Sequence, residues 1–209
     1  PALYIADGHH RAASAERVQK IREEANPNHS GFEPYNYFLS VIFPHDEMQI
    51  LDYNRVIRDL NGFTEEQFFE LLKLNFLVTL ITNPPSPISE NNYSMHINGR
   101  WYQLEALTHV KSDDPVEGLE ASILQKYLLT PILDIDEPRT NKRIDFVGGI
   151  RGMEELERRC QTDCAVAFAL PPISIEQLLS VADSGQVMPP KSTWFEPKLR
   201  SGMVVRLLD

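Results

Sequence analysis

The sequence predicts an α/β or α+β fold in which a single mixed sheet is flanked by helices. Short apolar segments of strand length alternate with segments whose apolar residues recur at helical spacing. An Asn-Gly pair between two alternating stretches predicts a β-hairpin near residues 93–105. The chain has 209 residues, 42% of them hydrophobic, which is enough for a sizeable core. We expect residues 1–209 to form one domain.

The first quarter of the chain contains three apolar segments and one helical pattern. Residues 2–6 have the composition of a buried strand, and residues 11–26 carry apolar residues at helical spacing. A near-continuous apolar run covers residues 35–43, and a second run covers residues 48–57. These runs predict further strands of a buried sheet.

The middle of the chain carries two strong local signals. Thr64 followed by Gln67 has the spacing of a capping box, so a helix should begin there, before a strand over residues 76–82. The Asn98-Gly99 pair suits a type I′ turn, which requires positive φ angles at both positions. This pair fixes the place of the predicted hairpin.

The last part of the chain repeats the alternation of strand and helix. The Asp113–Pro115 segment suits the start of a helix over residues 116–129, and residues 143–160 predict a strand, a glycine turn and a helix. Residues 165–172 predict a buried strand, and Ser174 with Gln177 predicts a final capped helix.

Composition restricts the function classes. Thirty acidic residues against twenty basic ones give a net charge of −10, which disfavours nucleic acid as a partner. Cys160 and Cys164 are too few for a disulfide scaffold or a zinc site, so we expect plain structural thiols. The sequence lacks an apolar run of about 20 residues and a signal peptide, which predicts a cytoplasmic protein without membrane contact. The oligomeric state is not predicted.

The polar segment Asp7-Gly8-His9-His10-Arg11 lies between the first predicted strand and the first predicted helix. A glycine turn before a helix directs unpaired backbone N–H groups and the positive end of the helix dipole outwards, which favours anion binding. Gly8 permits close approach of the backbone, Arg11 offers a planar fork for phosphate oxygens, and both imidazoles can donate further hydrogen bonds.

Asp7 has three alternative roles in this segment. It suits a magnesium ligand, a base that orients an attacking hydroxyl group, or a helix cap. The structural alternative for the whole segment is that Asp7 caps the helix while one histidine packs and the other faces solvent. His9 and His10 are adjacent and should point in different directions, so joint ligation of one metal is not expected.

A second polar cluster lies near the end of the chain. It contains two lysines and two hydroxyl groups, which we interpret as further phosphate contacts: Lys191, Ser192, Thr193 and Lys198. Arg200 is a third cation of the same cluster. A P-loop is excluded because neither a glycine-rich run nor a following helix is present. The alternative is an edge loop with solvated lysines, in which Trp194 and Phe195 are packing anchors; these two rings could otherwise stack on a base.

The segments "IADGHHRAASA" and "MPPKSTWFEPKLRSGMVVRLL" resemble the two signatures of the family known as domain of unknown function 1015. "NRVIRDL", "KRIDFVGGIRG" and "AVAFALPPISIEQLLSVAD" resemble its intervening segments, so the likeness covers nearly the whole chain. Members of the family are longer. The resemblance therefore implies that this chain is the C-terminal part of a longer protein, and it implies no established activity.

The Asp7–Arg11 turn also resembles the phosphate-binding turn of the ParB/sulfiredoxin superfamily, which includes ParB nucleotide hydrolases, sulfiredoxin and the free-serine kinases. This resemblance implies that Gly8, His9, His10 and Arg11 contact nucleotide phosphates and that Asp7 is the metal or acid–base residue. The redox chemistry of sulfiredoxin is excluded because its turn needs a cysteine, which residues 7–11 lack.

The leading hypothesis is a nucleotide-dependent, phosphotransferase-like enzyme that acts on the hydroxyl group of a small metabolite. Its catalytic residues would be Asp7, His9 and His10, and its cofactors Mg²⁺ and a nucleoside phosphate. One alternative is a module that senses a nucleotide or phosphometabolite without catalysis. A ParB-like protein that acts on DNA, or a nuclease, is disfavoured by the acidic charge balance.

Overall fold

The computed structural model describes residues 2–84, 88–198, 200 and 202–207. The chain divides into two compact units. Unit 1 comprises Pro1–Gln49 and Phe195–Asp209, and unit 2 comprises Ile50–Trp194. The expectation of one domain stays a prediction.

Among the described residues, the longest helix lies in unit 1 and the other four α-helices lie in unit 2. The helices are α1 (His9–Ala25), α2 (Glu65–Leu72), α3 (Glu120–Leu124), α4 (Gly152–Thr162) and α5 (Ile175–Asp183). The strands are β1 (Gln49–Leu51), β2 (Tyr53–Ile57), β3 (Phe76–Ile81), β4 (Asn92–Ile97), β5 (Arg100–Ala106), β6 (Ile144–Gly148), β7 (Val166–Ala169) and β8 (Trp194–Glu196).

The principal sheet has six strands in the order β3-β5-β4-β7-β2-β6, and neighbouring strands run antiparallel. Strands β1 and β8 form a separate two-stranded sheet. The structure thus confirms one principal sheet flanked by helices and assigns the fold to the α+β class. The hairpin is confirmed as β4–β5, and its turn residues Asn98 and Gly99 have φ angles of 48° and 71°.

Helices cover the two faces of the principal sheet. One face buries Phe168 and Leu104 with Phe68 of α2 and residues of α3 in the larger hydrophobic cluster. The opposite face buries Val56 with Leu156 of α4 in a smaller cluster. Alternate residues of the strands supply the two faces of the sheet.

The two capping boxes form as the sequence predicts. The Thr64 hydroxyl accepts from the Gln67 amide, the Gln67 side chain accepts from the Thr64 amide, and α2 begins at the next residue. Ser174 and Gln177 make the same pair of bonds at the start of α5. Each box satisfies two backbone donors that the first helical turn leaves without partners.

The third helix begins later than the sequence predicts. The Asp114 carboxylate accepts from the amides of Val116 and Glu117, which stabilises a turn rather than a helix start. Gly118 continues this turn so tightly that an added Cβ would lie 2.4 Å from the Ser112 carbonyl oxygen. The prediction of a helix from residue 116 is therefore wrong: α3 starts at Glu120 and continues into a π-helical turn, Gln125–Leu129.

In unit 1, α1 confirms the helix predicted over residues 11–26, but none of its residues is buried. Ala15 and Val18 are half-buried and, with Tyr35, Phe38 and other side chains, line a groove of about 200 Å³. The face of α1 that carries Ala15 and Val18 is therefore only partly covered.

Two predicted strands of unit 1 are wrong. Residues 2–6 and 35–43 contain no strand, and only a short 3₁₀ turn, Pro34–Asn36, is regular. Their apolar side chains are largely exposed, as shown by Leu3 at 79% and Ile42 at 65%. An apolar run becomes a strand only if its backbone pairs with a neighbour, and neither segment has such a neighbour among the described residues.

Within the described part of the chain, none of the helices has both the length and the apolar character needed to span a bilayer. Cys160 and Cys164 are free thiols, as predicted. Burial raises the pKa of Cys160 to about 12, so its thiol stays protonated and unreactive at neutral pH.

Candidate functional site

The first helix begins at a glycine with left-handed backbone geometry. Gly8 is the N-cap of α1, with φ 86° and ψ 23°, and no side chain caps the helix. The Asp7 carboxylate accepts from the Gly8 amide at 2.8 Å, one position before the helix. Asp7 therefore binds the turn itself and leaves the helix amides uncapped.

The first amides of α1 face outwards from the helix end. Arg11 and Ala12 donate their N–H groups to the Gly8 carbonyl at 2.9 and 3.0 Å. The N–H groups of His9 and His10 precede any intrahelical acceptor. The first turn itself contains no acidic residue, and the Asp7 carboxylate next to it accepts from the Gly8 amide rather than from the amides of the helix.

Two cations lie beside this turn. The Arg11 guanidinium folds over Gly8, and a Cβ added to Gly8 would lie 3.0 Å from its Nη2. Lys198 is distant in sequence, yet its Nζ lies 3.6 Å from Asp7 Oδ2. Unit 1 thus brings together four of the predicted site residues, namely Asp7, Gly8, Arg11 and Lys198.

His9 and His10 occupy the first two positions of α1, and both are exposed. Adjacent helical residues differ by about 100° in direction, so the two imidazoles point apart. The backbone carbonyl of His10 accepts from the Ser14 hydroxyl at 2.7 Å, which is an ordinary hydrogen bond within a helix. Neither imidazole packs into a core, so both rings are available to a ligand.

The other predicted phosphate contacts lie in unit 2. Lys191 is exposed, with Nζ 3.5 Å from the Tyr53 hydroxyl and 5.5 Å from the ring centre. Ser192 is buried and donates its hydroxyl to the Pro189 carbonyl at 2.7 Å, which is a structural bond. Thr193 is half-buried. Phosphate binding by these three residues stays a prediction.

Packing explains the glycine pair that precedes α4. A Cβ added to Gly148 would lie 2.6 Å from the Trp194 ring, so Trp194 packs directly on the backbone of β6. A Cβ added to Gly149 would lie 1.9 Å from a carboxylate oxygen of Asp52. Burial raises the pKa of Asp52, while a hydrogen bond from Asn54 opposes the shift. These glycines are required by close contacts in unit 2.

The Asp7 turn could bind Mg²⁺ only together with a bound phosphate. Among the described residues, no group of three His, Cys, Asp or Glu side chains could hold a metal ion. Mg²⁺ commonly uses one or two carboxylates together with substrate phosphates and water. Asp7 is the carboxylate that could serve, with the remaining ligands supplied by a bound phosphate.

Comparison with known sequences identifies the family. The model of the family described as "Protein of unknown function (DUF1015)" matches residues 1–125, which is more than half of the chain. The chain belongs to this family. The family prediction made from the two sequence signatures is therefore confirmed. No curated protein matches this family member.

Several solved structures are similar to this DUF1015 member. Free serine kinase in complex with AMP is 16% identical, with a TM-score of 0.48, over 91% of this chain and 66% of that chain. A mutant of free serine kinase in complex with ADP is 16% identical, with a TM-score of 0.47 over the same shares. A conserved hypothetical protein from Pyrococcus furiosus is 16% identical, with a TM-score of 0.46, over 91% and 68%. The chain thus spans about two thirds of the length of these kinase chains.

Proposed function

We propose that the turn Asp7–Arg11 binds the phosphates of a nucleotide, and that the protein is a phosphotransferase-like enzyme acting on the hydroxyl group of a small metabolite. The observation that carries this proposal is the uncapped, positively polarised start of α1, beside which Arg11 and Lys198 add two cations. The resemblance of the turn to the ParB/sulfiredoxin phosphate-binding turn supports the same assignment.

The expected phosphate contacts follow from the local geometry. The amides of His9 and His10 donate to phosphate oxygens at the helix end. The Arg11 guanidinium, which already lies over Gly8, makes charge-assisted hydrogen bonds to the same group. Gly8 admits the phosphate because it has no side chain and because its φ of 86° suits glycine.

Phosphoryl transfer requires mainly positioning and charge neutralisation. Under this proposal Asp7, which adjoins the expected phosphate contacts, accepts the proton of an attacking hydroxyl, and His9 and His10 donate to phosphate oxygens. Mg²⁺, when bound by Asp7 and the nucleotide, would neutralise part of the phosphate charge.

A second candidate is a sensing module that binds the nucleotide without chemistry. One observation favours it. One Asp7 oxygen accepts from the Gly8 amide and the other lies near the Lys198 ammonium, so the carboxylate already has a role in holding the turn. Under this alternative, Asp7 shapes the site and takes no proton.

Calorimetric titration with AMP, ADP and ATP, with and without Mg²⁺, tests the binding step. Replacing Arg11→Ala removes charge-assisted hydrogen bonds, so we expect a loss of affinity of about ten- to one-hundredfold. Arg17→Ala removes a similar charge from the exposed side of the same helix and should leave affinity nearly unchanged. Absence of nucleotide binding, or equal losses in both variants, would overturn the proposal.

A turnover assay separates the two candidates once binding is established. Incubation with ATP or ADP and a panel of small hydroxyl compounds should yield a phosphorylated product, and Asp7→Asn should abolish it while retaining nucleotide binding. Stoichiometric binding without product over the panel favours the sensing module.

A further inference from the structure

Arg55 is a charged residue in the interior of unit 2. It lies in the middle of β2, and only 4% of its surface is exposed. Val56 and Ile57, which follow it in the strand, are fully buried core residues. A guanidinium in such a position has lost nearly all of its hydration, so it requires compensation from nearby groups.

The protein supplies little compensation for this charge. Arg55 donates to the Tyr53 carbonyl, and its guanidinium lies 5.6 Å from the centre of the Phe146 ring. None of the carboxylates in the described part of the chain forms an ion pair with it. Burial lowers the pKa of Arg55 to about 10, although the phenols of Tyr93 and Tyr53 oppose the shift. A buried cation without an anion is costly to a fold.

The half-buried Asp52 and the buried Glu120 bind other groups of unit 2. A carboxylate oxygen of Asp52 accepts from the Asn54 side chain, and the carboxylate packs on Gly149. Glu120 accepts from the amide of Asn91 at 2.9 Å. The charge of Arg55 is therefore not balanced by either group.

Aromatic rings and a second cation surround the same end of β2. The Tyr53 ring lies 5.9 Å from the Phe146 ring and 5.6 Å from the Trp194 ring. The Lys191 ammonium approaches Tyr53 from its hydroxyl end. Two cations thus lie around a group of three rings, and a negatively charged ligand would complete this arrangement.

We propose that Arg55 is the anchor of a second binding site, in unit 2, for the oxyanion of a small ligand. Its planar fork suits a carboxylate or a phosphate group, because either one presents two oxygens to a guanidinium. Lys191 adds a cation at the rim, and the rings of Tyr53 and Phe146 exclude water from the ion pair. The site does not rest on the function proposed for the Asp7 turn, since its residues all lie in unit 2.

The test uses inorganic phosphate and acetate in separate titrations of the Arg11→Ala protein, which suppresses binding at the Asp7 turn. Chloride keeps the ionic strength constant, and thermal unfolding is followed by circular dichroism. One or both anions should raise Tm to a saturating value, since a ligand that binds the folded state stabilises it. Saturation by phosphate alone assigns a phosphate ligand, and saturation by acetate alone assigns a carboxylate.

The matched variants are Arg55→Met and Arg58→Met, both made in the Arg11→Ala protein. The first should abolish the anion-dependent rise, whereas the second removes an exposed arginine just beyond the same strand and should retain it. Without ligand, Arg55→Met should have an unchanged or higher Tm, because a buried charge without an anionic partner is removed. An arginine with a purely structural role would instead lower Tm in this variant.

A second variant keeps the proposal falsifiable if Arg55→Met does not fold. Arg55→Lys retains the charge and loses the planar fork, so the concentration of anion at half-saturation should rise about tenfold. The proposal fails if neither anion gives a saturating rise in Tm, or if the rise persists unchanged in Arg55→Met or Arg55→Lys.

Discussion

The two units use their polar residues differently. In unit 2, Asn54 accepts from the amide of Leu170 across the sheet, and Thr64 and Ser174 cap helices, so these side chains hold the fold. In unit 1, His9, His10 and Arg11 lie at the start of a helix that buries none of its residues. Polar residues without a role in packing are the better candidates for ligand binding, and Arg55 is the exception inside unit 2.

The largest expected effect is the loss of stability on truncating a phenylalanine of the principal sheet, compared with one in unit 1. Phe168 lies in the principal sheet with 0% exposure, whereas Phe38 in unit 1 is 60% exposed. Phe168→Ala should lower the free energy of unfolding by about 4 kcal/mol, and Phe38→Ala by less than about 1 kcal/mol. Urea unfolding followed by far-ultraviolet circular dichroism measures both. Similar losses would show that the apolar segment of unit 1 is as firmly packed as the sheet.

A smaller effect is expected at the glycine turn before α4. Gly149→Ala places a Cβ against the Asp52 carboxylate and should cost about 3 kcal/mol of unfolding free energy. Gly62→Ala is the control, because its surroundings are open and only its φ of 81° is unfavourable, so about 1 kcal/mol should be lost. Equal losses in urea unfolding would mean that Asp52 moves aside, which would weaken the account of this turn as a rigid packing feature.

The smallest expected effect is a pH dependence at His96. This residue is buried in β4, and its Nδ1 has no hydrogen-bond partner among the described residues. Burial lowers the pKa of His96 below 6.5, and the charge of Glu157 only partly opposes the shift. As the pH falls below about 7, the unfolded chain therefore binds more protons than the folded chain. Stability decreases on acidification, from the pKa of this histidine in the unfolded chain towards its lower pKa in the folded chain.

His96→Gln should therefore reduce the loss of Tm between pH 7.5 and 5.5. His45→Gln, at an exposed position of unit 1, should leave that loss unchanged. Identical pH profiles for wild type and His96→Gln would contradict the assignment of a neutral, buried imidazole.

Much of unit 2 could be predicted from sequence because its signals are local. The capping boxes need only residues three apart, and the hairpin needs only Asn98 and Gly99 between alternating strands. The Asp7 turn could be proposed as a site for the same reason, since its five residues are adjacent in sequence. Strand–turn–helix alternation likewise located β6 and α4.

Features that depend on distant residues could not be predicted. The apolar runs of residues 2–6 and 35–43 have strand composition, but strand formation also requires a partner, which composition does not reveal. The contact of Lys198 with Asp7 joins residues far apart in the chain. Arg55 was missed because its burial follows from sheet pairing, although a charged residue beside Val56 and Ile57 is a usable signal.

Backbone NMR during titration with ADP tests whether the start of α1 binds phosphate. We expect saturating shifts that are largest for the amides of Gly8, His9, His10 and Arg11, and that are lost in Gly8→Ala, whose Cβ would meet the Arg11 guanidinium. Saturating shifts confined to other residues, or no saturation at any of these four amides, would contradict it.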